Sequence, residues 1–448
     1  MHFSVLRRCI PHPPSLIPLC LVAILAGTAG AQDSTGATPA DSTLDSLRAR
    51  LERAEEAIEL LRQQMAAQAS TEVRTRSRAR LEISGRVLVN AFSNSRRVNN
   101  VDVPQFVLPD IPIPPGTGTS GTNNRYGSAG LVARQSSFGI AASGIGVAGG
   151  EFLADADFDL FGGTQTGAGG RQLFPQPRLR TARVIVRWAR GELLAGQDVP
   201  LIAPWNPVSV ASIGTAGFAS AGNLWNWLPQ IRGTVEVAGV GVQAAVLAPH
   251  SGGETIPGEP DAVDAGERSR RPFVEARLRR RWGADAEARS EVGVSVHRGW
   301  LATRDDSLFT SEAFAADFNV RLGARVGLRG EAYRGRLLRG LGGGGIGQNF
   351  AFDGPVTRVV PDRGGWLQAN VRATGATTVG AGCGVDDPED VGPAQRLRNL
   401  ACEGHAIWRG PGGLLLGAEY RRLTTRYSPQ APRSFASDHL NVAVGVEF

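Results

Sequence analysis

From Leu81 to the last residue, apolar and polar positions alternate with a period of two. Leu81, Ile83, Val87, Val89 and Ala91 interleave with Glu82, Ser84, Arg86 and Asn90. Phe152, Ala154, Ala156, Phe158 and Leu160 interleave with Asp155, Asp157 and Asp159, and Ala182, Val184, Val186 and Trp188 with Arg183 and Arg187. The pattern returns at 231–237, 314–322 and 440–448. This period predicts β-strands with one apolar and one polar face. A soluble sandwich would bury the apolar faces between two sheets. Strands of about ten residues with a charged second face instead predict a transmembrane barrel, apolar toward lipid and polar toward the lumen.

The connections support closure. Short turns are expected near Gly144, Gly191, Gly239, Gly283, Gly323, Gly375 and Pro411. Long loops are expected at 93–127, 161–177, 199–229, 249–271, 301–312, 338–364, 383–402 and 425–436. Short and long connections alternate, which implies sixteen antiparallel strands, counting 366–382 as two, with both chain ends on the short-turn side. Outer-membrane barrels have even strand numbers, short periplasmic turns and long outer loops. A sheet in lipid must also close, because a free edge would leave backbone groups unsatisfied. Phe448 ends an alternating strand and resembles the C-terminal assembly signal of outer-membrane barrel proteins.

Ahead of the barrel the period changes. Leu44, Leu47, Leu51, Ala54, Ile58, Leu61 and Met65 are spaced three and four apart, a heptad seam over 41–70. About three heptads are marginal as a lone helix in water, so the stripe implies partner helices and a parallel homo-oligomeric coiled coil. A polar linker (32–40) precedes it and a charged linker (71–80) follows. Residues 1–31 read as a secretory signal: Arg7 and Arg8, an apolar run from Leu16 to Ala26, then Ala29-Gly30-Ala31. The barrel domain is 81–448.

Composition narrows the rest. Gly makes up 58 of 448 residues and all 48 basic residues are Arg, against 42 Asp and Glu, for a net charge of +6. A mean hydropathy of −0.12, with one long apolar stretch at 15–30, excludes a bundle of transmembrane helices. Processing leaves two cysteines, Cys383 and Cys402. In an oxidising compartment they are expected to pair as a disulfide across the loop they bracket.

Several segments now carry a family likeness: "ARQSSFGIAAS" (133–143), "GEFLADADFDLFGG" (150–163), "PRLRTARVIVRWARGELLAGQDVP" (177–200), "WNP" (205–207) and "LPQIRGTVEV" (228–237). With the leader and the heptads, they make the chain resemble the DcaP-like trimeric outer-membrane porins, relatives of the phosphate-selective porin group. The likeness spans about 44–237. It implies a homotrimer of sixteen-stranded barrels with a periplasmic coiled-coil stalk, passing small anionic solutes such as dicarboxylates. The chain departs from that pattern in its third long loop, 199–229, which has no Arg, with only Asp198 at its stem.

With apolar positions facing lipid, eleven arginines point inward: Arg86, Arg183, Arg187, Arg232, Arg277, Arg279, Arg281, Arg321, Arg329, Arg372 and Arg421. Ten carboxylates join them: Glu82, Asp155, Asp157, Asp159, Glu236, Glu275, Glu291, Asp317, Glu331 and Glu419. Arg suits bidentate contact with carboxylate or phosphate. Arg183 and Arg187, with Arg232 and Arg86, are the expected anion contacts, flanking a constriction loop that offers Trp205, Asn206, Trp225 and Trp227 as an apolar or stacking surface. No catalytic, cofactor or metal motif is present. The Gly-rich run 340–348 lacks the Lys and the strand–helix setting of a phosphate cradle and reads as a flexible outer loop. A pI of 9.7 comes from Arg spread over alternating strands rather than gathered in a patch, which argues against nucleic-acid binding. The reading is a passive diffusion porin of the bacterial outer membrane. The alternative is a structural barrel tethered to the cell wall through its coiled coil.

Overall fold

The alternation has a simple structural consequence: strands whose faces differ can only satisfy both by separating two environments. The computed structural model describes residues 79–110, 126–162, 175–253, 263–283, 289–302, 307–353, 356–428 and 434–448. The leader (1–31), the linkers and the heptad segment (41–70) lie outside the described residues. Within them runs one closed antiparallel sheet. Its strands are β1 (Arg80–Asn94), β2 (Ser128–Val132), β3 (Ser137–Val147), β4 (Gly150–Gly162), β5 (Gln176–Arg187), β6 (Gly191–Asp198), β7 (Leu228–Val237), β8 (Val240–Leu247), β9 (Phe273–Trp282) and β10 (Ser290–Ala302). They continue with β11 (Leu308–Leu322), β12 (Val326–Arg336), β15 (Pro361–Arg372), β16 (Thr377–Asp386), β17 (Arg396–Arg409), β18 (Leu414–Tyr427) and β19 (Ser434–Glu447). β13 (Phe350–Asp353) and β14 (Val356–Val359) form a separate hairpin in the loop after β12. β1 pairs with β19, Val89 opposite Val444, which closes the ring. β2 and β3 together pair with β1 as one interrupted strand, so the barrel has sixteen staves.

Faces sort as the alternation requires. Val242, Val246, Leu278, Val294, Phe314, Leu440 and Val444 lie outward and exposed, while Asn90, Asp159, Glu275, Asp317, Gln368 and Glu419 point inward and are buried. Trp188, Trp282 and Phe448 are exposed outside, at the turn-side ends of their strands or in the adjoining turn. That is the interfacial position aromatic girdles occupy in outer-membrane barrels.

Three sequence expectations need correction. The turn after β3 is not at Gly144 but at Ala148 and Gly149, both at positive φ. Gly144 (φ 87°) sits in a bulge between Ala142 and Ile145, where an extra residue needs the left-handed conformation that Gly reaches without cost. The loop expected at 383–402 is shorter, because β16 runs to Asp386 and β17 starts at Arg396. Both cysteines therefore lie in strands, directly opposed in register on the outer face and joined as a disulfide. Finally, the Gly run 340–348 is no flexible outer loop. Leu338, Leu341 and Ile346 are buried, and positive φ at Gly342, Gly343, Gly345 and Gly347 coils the segment back into the barrel mouth.

Candidate functional site

The chain between β6 and β7, residues 199–227, folds into the barrel, and nearly all of it is buried. It is apolar, so its own backbone amides and carbonyls would be orphaned inside unless the wall supplied partners. The wall does so at successive stations. Glu275 accepts from the amides of Leu201 (2.6 Å) and Ile202 (3.3 Å). Gln368 brackets Val208, accepting from its N–H and donating to its carbonyl, both at 2.8 Å. Glu419 accepts from the Ser209 hydroxyl at 2.6 Å. Gln135 accepts from the Ile213 amide and donates to the Ala211 carbonyl, both at 2.9 Å. Glu331 accepts from the Leu224 amide at 3.0 Å.

Apolar contacts fill the gaps between these stations. Leu201, Ile202 and Leu224 join Phe273, Leu301, Leu338 and Leu341. Val210 and Ile213 pack with Leu88, Ile407 and Leu415. At Gly384, inward on β16, a Cβ would collide with the Ala221 carbonyl, so this wall position accepts only glycine while the strap lies against it. The coiled Gly run clamps the strap's second limb, where Leu341 accepts from the amides of Trp225 (2.9 Å) and Asn226 (3.1 Å).

Along this strap only Pro204, Trp205, Val208 and Trp225–Trp227 keep partial exposure. Trp205 donates from Nε1 to Asp317 Oδ1 at 2.9 Å. Trp225 and Trp227 meet edge to face at 5.2 Å. Trp227 lies 5.3 Å from the Arg178 guanidinium and 5.0 Å from that of Arg180. Asn206 accepts from Asn223 at 3.2 Å, and its carbonyl accepts from Arg329 at 3.0 Å.

The four arginines singled out from the sequence all point inward, and each meets a carboxylate. Arg183 spans Asp155 (2.8 Å) and Asp198 (3.1 Å). Arg232 reaches the other Asp198 oxygen at 2.7 Å. Arg187 pairs with Glu192 at 2.9 Å, and Arg86 lies 3.4 Å from Glu447. Arg277, between Glu291 and Asp317, and Arg421, between Glu403 and Glu419, are likewise enclosed. The other side of the lumen differs. Among the described residues Arg321, Arg329 and Arg372, on β11, β12 and β15, have no carboxylate partner, and Arg321 and Arg372 are exposed. Asn370 and His405 stand beside them, linked at 3.1 Å.

On β5, two inward arginines escaped the sequence reading. Counting back from Arg183 by twos puts Leu179 in the lumen and Arg178 and Arg180 in lipid. A bulge reverses the parity there: Thr181 faces Asp157, whereas Leu179 faces Phe158. Arg178 and Arg180 thereby turn inward to Asp159 (2.6 Å) and Asp157 (3.2 Å). The signal was the Arg-Leu-Arg triplet lying out of phase with Arg183 and Arg187, since two charges in lipid are too costly to be the right register.

No family model matches the sequence, and neither does any curated protein. Solved structures do. The outer membrane channel DcaP of Acinetobacter baumannii superposes with a TM-score of 0.64 at 13% identity, over 84% of this chain and 99% of that one. An anion-selective porin from Comamonas acidovorans gives 0.52 at 12% identity, over 83% and 100%. At such identities what is shared is the fold. A closed ring of sixteen staves, crossed inside by its third long loop, gives this chain the fold of the DcaP-like outer-membrane porins.

Proposed function

We propose that the protein is a passive channel of the bacterial outer membrane for small polar solutes, with a preference for anions of the dicarboxylate kind. The observation that carries this reading is the strap 199–227, pinned across the interior of a barrel that is charged inside and apolar outside. Such a strap narrows a lumen at mid-height and leaves polar wall on its free side. Arg321 and Arg329 support the anion preference, since their charge is not answered by a carboxylate among the described residues. The Comamonas relative in fold is named as anion-selective, in keeping with this. Solute contact must be weak, because an ion held tightly is not passed on. In this reading residues 1–31 direct export, 41–70 form the periplasmic stalk of a homotrimer, and the barrel walls add the rest of the trimer contact.

The test is ion conductance of the purified full chain in a planar bilayer under a salt gradient. A stepwise current with an anion-directed reversal potential is expected. A barrel that inserts and stays silent would overturn the channel reading and favour the tether; a cation-directed potential would overturn only the anion preference.

A further inference from the structure

The coiled Gly run 340–348 rests on three buried side chains that a passive channel does not by itself require. Tyr333 on β12, Gly364 on β15 and Asp386 on β16 are register partners in one row across three strands. Gly364 lets the outer two meet, because a Cβ there would come within 2.6 Å of the Tyr333 hydroxyl. Asp362, the neighbouring inward residue of β15, joins them. The Tyr333 oxygen lies 2.6 Å from Asp386 Oδ1 and 2.8 Å from Asp362 Oδ2. From the coil, the Gly345 amide donates to Asp362 Oδ2 at 2.5 Å and the Ile346 amide to Asp386 Oδ2 at 2.6 Å. Both coil residues are left-handed, with φ 65° and 53°. The second is β-branched and takes such a backbone only where something holds it. Tyr333, Asp362 and Asp386 are all buried.

A phenol has one proton to give and a carboxylate has none. Tyr333 can therefore donate across only one of its two short contacts, and the other is a hydrogen bond only if a carboxyl supplies the proton. Asp386 is placed to do so. While its Oδ2 accepts from Ile346, a proton on Oδ1 donates to the Tyr333 oxygen, and the Tyr333 proton goes to Asp362. No cation answers the pair: among the described residues neither carboxylate has an Arg or His at ion-pair distance. Arg396 of β17 donates instead to the Ile346 carbonyl at 3.0 Å, and Arg363 pairs with Asp387 on the outer face. Tyr427 of β18 donates to the Val107 carbonyl at 2.7 Å, and Arg339 stands at the start of the coil. Glu331, one inward position along β12, accepts from the strap's Leu224 amide. With both aspartates ionised, two like charges would face each other across one hydroxyl in a buried site, which is costly.

We propose that Asp362, Tyr333 and Asp386 form a one-proton latch: the shared proton keeps the Gly coil seated, and its loss as pH rises drives the carboxylates apart and releases the coil. The coil in turn holds the strap, since the Leu341 carbonyl accepts from the Trp225 and Asn226 amides, so release frees the strap's second limb. The seating is present while the proton is bound and is lost at alkaline pH. Its consequence for flow rests on the channel reading above; the latch itself does not.

The experiment is amide hydrogen exchange, read by mass spectrometry on the purified full chain in detergent at about pH 6 and about pH 9, a span in which buried carboxyls titrate. Rates are corrected for the intrinsic effect of pH, with peptides of β18 and β19 as internal reference. In wild type, 340–348 and 224–227 should lose protection by about tenfold per pH unit once the proton leaves, while the reference strands keep theirs. Asp386→Asn places an amide where the protonated carboxyl stands, its NH2 toward Tyr333 and its carbonyl toward Ile346, and should stay protected at both values. A wild-type coil equally protected at both overturns the latch without any variant. The same loss in Asp386→Asn as in wild type would also overturn it, because another group would then be titrating. A barrel that conducts nothing overturns the channel reading alone, since exchange reports the latch directly.

Discussion

Two stretches of inner wall carry arginines into the lumen. On β4–β7, Arg183 lies between Asp155 and Asp198, and Arg232 takes the remaining Asp198 oxygen. On β11–β15, Arg321 and Arg329 have no such neighbours among the described residues, and Arg329 spends one N–H on a strap carbonyl. The first wall is a structural lattice whose charges cancel at contact distance. The second leaves positive charge facing the space beside the strap. An arginine in a lumen is therefore not by itself a selectivity element; the nearest carboxylate decides what its field does at a distance.

The strap separates these walls, so removing it is the harshest test. Replacing 203–224 by a short Gly-Ser link should raise single-channel conductance severalfold, read in a planar bilayer. Unchanged conductance would mean that the strap does not define the narrowest point and that the contrast between walls is irrelevant to flow.

Next in size is the stability cost of a single Arg→Ala change on each side. Arg183→Ala strands Asp155, leaving Asp198 to Arg232 alone, and should cost about 3 kcal/mol, the scale for breaking a buried pair. Arg321→Ala should stay within about 0.5 kcal/mol, as for an exposed site. Urea unfolding in detergent measures both, and equal costs would erase the distinction.

Selectivity should behave the opposite way. The pair Arg321→Ala/Arg329→Ala should move the reversal potential toward cations, whereas the charge-neutral pair Arg183→Ala/Asp155→Ala should leave it near wild type. The shift should shrink between 0.1 and 1 M salt, as the screening length falls from about 10 to about 3 Å. A larger shift from the second pair would return selectivity to the β4–β7 wall.

The smallest effect expected concerns the loop before β9. Burial alone would raise the Asp264 carboxyl, but hydrogen bonds from His250, Ser251 and the Gly266 amide outweigh it and hold the group well below the usual carboxylate range. A depressed folded value means stability that is present above roughly pH 4, the unfolded carboxylate value, and lost as pH falls below it. Proteolysis between residues 248 and 272 should accelerate below that pH in wild type, and Asp264→Asn should be cut as readily at pH 7. Acid-insensitive cleavage of wild type would show that the contact at 3.3 Å between His250 and Asp264 does not hold this loop.

Much of this was legible in the chain. Period-two alternation and alternating connection lengths specify a closed barrel of sixteen strands, because lipid outside and charge inside admit few other arrangements. The same parity identified Arg86, Arg183, Arg187 and Arg232 as inward. What parity could not give was who stands beside whom. Asp198 meets Arg183 and Arg232 only because β5, β6 and β7 align in one register, and Arg178 and Arg180 turn inward only because of a one-residue bulge opposite Asp157. Nor could it foresee that Glu275, Gln368, Glu419 and Glu331, from four distant strands, serve the backbone of one uncharged loop. Local pattern decides which way a side chain points, since that depends on the chain's own pleat. Which charges remain free depends on the partners that neighbouring strands set beside them, as Asp198 is set between Arg183 and Arg232, and only the closed tertiary structure fixes those neighbours.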